Sequence, residues 1–70
     1  MDVYIEPVPR GRPEGEPVYA YAVETRTGKV LKTLQTQSDA IQWAKAENYT
    51  VFVPIVRDTS KGNSEHWWEA

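Results

Sequence analysis

Seventy residues with ten acidic and eight basic side chains, 40% hydrophobic and without cysteine, allow one small core. They exclude a separate lid or cofactor domain, disulfide staples, zinc ribbons and thiol chemistry. The formal charge of −2 favours neither a nucleic-acid coat, which needs a basic excess to neutralise phosphates, nor a nucleic-acid mimic, which needs a far stronger acidic one.

In chain order, Asp2 to Glu6 is the first strand candidate, with Val3 and Ile5 on one face and Tyr4 and Glu6 on the other; its shortness suggests a sheet edge. Residues 7–17 (PVPRGRPEGEP) hold four of the five prolines and two of the four glycines, and read as a loop of mixed charge. Val18 to Thr25 alternates as a strand, Thr27, Gly28 and Lys29 supply a turn, and Val30 to Gln35 returns, so 18–35 is expected to be a β-hairpin. Thr36 stands three residues before Asp39, the spacing of a capping box, and predicts a helix over Gln37 to Glu47. Its apolar stripe is Ala40, Ile41 and Ala44, with Trp43 at the flank, and Asn48 is the expected left-handed stop. Thr50 to Arg57 (TVFVPIVR) is apolar on both faces, which suits a covered strand, whereas Pro54 suits an edge. Residues 58–64 form a polar turn, and Glu65 to Ala70 ends the chain as a candidate strand.

The expected fold is therefore α+β over residues 1–70: an antiparallel or mixed sheet of three to five strands, one helix on one face, in the order β-β-β-α-β, with or without a further β at the end. One helix covers one sheet face. Matching Val18, Ala20 and Ala22 to the helix stripe places Tyr19, Tyr21 and Val23 on the other, joined by one set of side chains from residues 51–56. A face of tyrosines and apolar side chains is a recognised mark of an interaction surface, unless the proline loop or Trp67 and Trp68 folds back over it. Adjacent residues of an extended segment point to opposite sides, so one of the two tryptophans should pack and the other be exposed.

The candidate partner-binding residues are Tyr19, Tyr21, Trp67 and Trp68, with Arg10 and Arg12 as rim contacts. The expected function is a non-enzymatic protein-interaction module that binds itself or a larger protein. The alternative is nucleic-acid association through the same aromatics with Arg10, Arg12, Lys29 and Lys32, although the basic-aromatic motif of sheet-based RNA binders is absent. His66, beside Glu65 and near Glu69, lacks the convergent partners that a general base or a metal site needs, and no phosphate-cradling loop or nucleophile elbow is present. No catalytic residue, metal or cofactor is expected. No apolar run is long enough for a membrane span, and Met1, Asp2, Val3 and Tyr4 do not open a signal peptide, so the expected compartment is the cytoplasm.

Thr36, Asp39, Ala40, Ile41, Trp43 and Ala44, with the apolar strand at 51–56 and a closing tryptophan, resemble small bacterial domains of unknown function. In those domains a hairpin leads into a T-x-x-x-A-I-x-x-A helix and a strand; the likeness covers residues 18–57 and stops at the proline-rich loop and the more acidic balance. The resemblance implies a fold and no activity. Antitoxins and phage-encoded inhibitors share this length and layout, an analogy of size and fold that does not assign function.

Overall fold

The computed structural model describes residues 1–9, 15, 17–56 and 59–70; Arg10 and Arg12 lie outside them. The elements are β1 (Asp2–Val8), β2 (Ala20–Thr25), β3 (Val30–Leu34), α1 (Gln37–Ala46), β4 (Thr50–Pro54), a 3-10 turn (Ser64–His66) and β5 (Trp67–Glu69). They form one mixed five-stranded sheet in the order β3-β2-β1-β4-β5, with the helix packed against it. β1 pairs antiparallel with β2 and parallel with β4, so the passage from β3 through α1 to β4 carries the chain back over two strands.

The hairpin forms as expected, turning at Gly28 with φ +93, a backbone angle that glycine adopts without steric cost. A bulge between Val23 and Glu24 leaves Leu31 as the extra residue of β3, and Leu31 packs against the core. At the helix start, Thr36 is extended and its Oγ1 accepts from the Asp39 amide at 3.0 Å. At the end, Asn48 takes φ 63, its amide donates to Lys45 O at 2.9 Å, and the Tyr49 amide donates to Ala44 O at 3.1 Å. Those two bonds are the paired closure of a Schellman motif and satisfy carbonyls the helix itself leaves open.

Two expectations need correction. β1 is the central strand, not an edge: Val3, Tyr4, Ile5 and Glu6 are all buried, because both faces of the strand are covered. The second concerns which side of β2 meets the helix. Val23, with Val3, Ile5 and Val51, forms the core with Ala40 and Ala44, and Tyr21 packs against it, whereas Ala22 lies on the opposite face in register with Glu6. The physical reason is volume. A helix presenting alanines at 0% exposure comes close to the sheet and leaves space that larger strand residues fill.

The conflict at Pro54 resolves in the register. The β1–β4 ladder ends at Tyr4 and Phe52, so Pro54 lies beyond it and its missing amide interrupts no rung to β1. Among the described residues, no helix is long and apolar enough to cross a membrane.

Because the Thr36 hydroxyl supplies an acceptor to an amide that the helix cannot satisfy, Thr36→Ala is expected to cost about 1 kcal/mol. In a domain of this size that corresponds to a fall of roughly 4–8 °C in Tm, measurable by circular dichroism.

Candidate functional site

The sheet face opposite the helix is covered by the chain itself. Residues 59–66 pass over β1 and β2 before β5 begins, and a hydrogen bond from the Asn63 amide to Ser60 O at 3.0 Å closes a turn that contains Lys61. The Lys61 ammonium lies 2.6 Å from Glu6 Oε2 and 3.1 Å from Glu24 Oε1. Its side chain is 11% exposed, and both glutamates are buried. Thr59 Oγ1 donates to the other Glu6 oxygen at 3.0 Å. Strand pairing brings the two carboxylates together, since Glu24 is opposite Tyr4 and Glu6 is opposite Ala22 on the same face.

Around this ion cluster the segment is tied to itself. The Trp67 indole donates to Ser60 O at 2.9 Å, and His66 Nδ1 accepts from the Ser60 amide at 3.0 Å. His66 is thus an acceptor that ties the turn together. Among the described residues, no group of three or more His, Asp or Glu side chains is placed to hold a metal ion. Trp67 packs edge-on against Tyr4 with ring centroids 4.8 Å apart, and Tyr4 stacks beside Phe52 at 5.4 Å.

The structure separates the candidate partner-binding residues. Tyr21 belongs to the helix-side core. Trp67 is 7% exposed and serves as the lid of the opposite face. Tyr19 and Trp68 are 71% and 64% exposed. The pleat sets the division between the two tryptophans: Trp67 is opposite Pro54 on the covered face, so Trp68, opposite Val53, points to the helix side. Ile55, 59% exposed and two residues beyond Val53, shares that side, and its amide donates to His66 O. Sequence reasoning passed over the Glu6, Glu24 and Lys61 cluster and left Ile55 in one of two alternative sets from residues 51–56. Two glutamates inside otherwise apolar strands were the available signal for the cluster.

Comparison with known protein families, with curated proteins and with solved structures finds no match to this chain.

Removing one partner of a buried ion cluster leaves its counter-charges in a poorly solvated place, which costs more than the intact interaction contributes. Lys61→Ala is therefore expected to lower the unfolding free energy by about 1–3 kcal/mol, the scale of a lost hydrogen bond to a charged group, and Lys61→Arg, which retains the charge, by less. Urea denaturation of the two variants beside the parent chain measures the difference; equal losses would show that the charge of Lys61 is not what holds the segment.

Proposed function

We propose that this chain is a non-enzymatic protein-interaction module whose contact surface is the helix-side corner formed by Trp68, Ile55 and Val53, and whose first partner is a second copy of itself. The observation that supports this reading is the exposure of Trp68 and Ile55 on one side of the β4–β5 edge, beyond the strands on which the helix packs. In a chain that buries few large side chains, an exposed tryptophan beside an exposed isoleucine forms an apolar surface for association. Tyr19, 71% exposed, lies at the same end of the sheet, where β1 and β4 finish and its amide donates to Val8 O. β5, three residues long, is an edge strand of the sheet, and among the described residues no further strand pairs with it.

A cytoplasmic location belongs to this reading and draws on the absence of cysteine. Nucleic-acid association is less well supported. Lys29 and Lys32 are exposed along the hairpin, but Tyr21 and Trp67 are engaged in packing and leave no row of stacking aromatics beside those lysines.

Sedimentation equilibrium across a concentration series tests the proposal. A reversible dimer is expected, and Trp68→Ala should weaken it by about 30-fold, the equivalent of a hot-spot loss of about 2 kcal/mol, with little change in Tm. A concentration-independent monomer would remove self-association, and retention of dimerisation in Trp68→Ala would remove this corner as its surface.

A further inference from the structure

Near the start of β1 the face covered by residues 59–66 opens into a cleft of about 190 Å³. Half-buried Phe52, with the edges of Tyr4 and Trp67, forms its apolar lining. Ser64 and Lys61 line it from the covering segment. The Lys61 ammonium donates to Glu6 Oε2 at 2.6 Å and lies 3.1 Å from Glu24 Oε1.

Two further lining residues carry opposite charge. Asp2 and Arg26 follow from the register that pairs Val3 with Thr25, which brings them to neighbouring positions at the end of the β1–β2 ladder. Both are exposed, and among the described residues neither side chain makes an ion pair or hydrogen bond, with the other or with any third group. A carboxylate and a guanidinium thus adjoin one small cleft with an aromatic wall, without neutralising each other.

The ligand that answers this arrangement carries an ammonium and a carboxylate close together, with an apolar group attached. We propose that the cleft binds a free, zwitterionic α-amino acid with an aromatic or large apolar side chain. Its carboxylate meets Arg26, with the Lys61 ammonium and the Ser64 hydroxyl close by. Its ammonium meets Asp2, and its side chain lies against Phe52 and the edges of Tyr4 and Trp67. Size supports the same class, because the volume lies below the roughly 300–1,000 Å³ of pockets for drug-sized ligands. Each ligand charge matters for a specific reason: a molecule carrying only one desolvates the other protein charge without replacing its hydrogen bonds to water. A nucleobase, also planar and able to bond both groups, is the competing ligand that the experiment must separate.

Titration of the full chain with L-phenylalanine, followed by amide chemical shifts, tests the proposal. Saturable shifts are expected at Asp2, Tyr4, Arg26, Phe52, Ser64 and Trp67. N-acetyl-L-phenylalanine, which lacks the ammonium, and L-phenylalaninamide, which lacks the carboxylate, should each bind about tenfold or more weakly, the scale of one lost charged hydrogen bond. Asp2→Asn should abolish the preference for L-phenylalanine over the N-acetyl compound, and Arg26→Gln the preference over the amide. Both positions are exposed, so the folded spectrum should persist in either variant. Absence of saturable shifts, equal binding of the three compounds, tighter binding of guanosine, or unchanged preferences in both variants would overturn it.

Discussion

The structure depends on burying one strand from both sides. β1 pairs with neighbours on each flank, so its side chains have nowhere to go but the two faces, and both faces must be shielded. The helix supplies one shield, over Val3 and Ile5, with alanines that let its backbone approach. The other face carries Tyr4 and Glu6, and its shield is a short return of irregular chain that ends in Trp67. The carboxylate of Glu6, in the middle of a central strand, is met by Lys61 from 55 positions away in sequence and by Thr59.

The two shields differ in kind. Helix packing is apolar and forgiving of small shifts, whereas the return over Glu6 and Glu24 depends on charged groups at hydrogen-bonding distance. Burying ions costs much of what their attraction returns, so such a cluster stabilises modestly while it penalises every arrangement that separates its members. That asymmetry suits an irregular segment. With no regular backbone ladder between residues 59 and 66 to set its position, the side-chain bonds of Thr59, Lys61, His66 and Trp67 set it instead.

Local features were legible in the sequence and distant ones were not. Thr36 and Asn48 announced the helix ends because each acts on amides or carbonyls within a few residues. The hairpin was legible from Gly28 and the alternation around it. Which side of β2 faces the helix was not, since Ala20 and Ala22 alternate with Tyr21 and Val23 equally well under either choice. Only the volume left by Ala40 and Ala44 distinguishes the two, and that is a property of the assembled layers. The same holds for β1, whose length suggested an edge although its neighbours are set by the helical crossover. Of the candidate surface, the opposed fates of two adjacent tryptophans were legible from the strand period, but which one packs depended on Ser60 and Tyr4.

That last point links the two faces. Trp67 is held inward by a hydrogen bond and by the ring of Tyr4, so the pleat leaves Trp68 no inward position while β5 remains a strand. The period requires that something at position 68 face the helix side at this edge; it does not require the largest side chain available. A polar residue there would satisfy the same backbone and keep water against the edge, as Lys32 does on the opposite edge strand. Trp68 and Ile55 do the reverse, exposing large apolar side chains at this edge. The anchor that fixes this exposed surface is therefore a residue the cleft also uses, and the conformation of three residues of β5 is common to both.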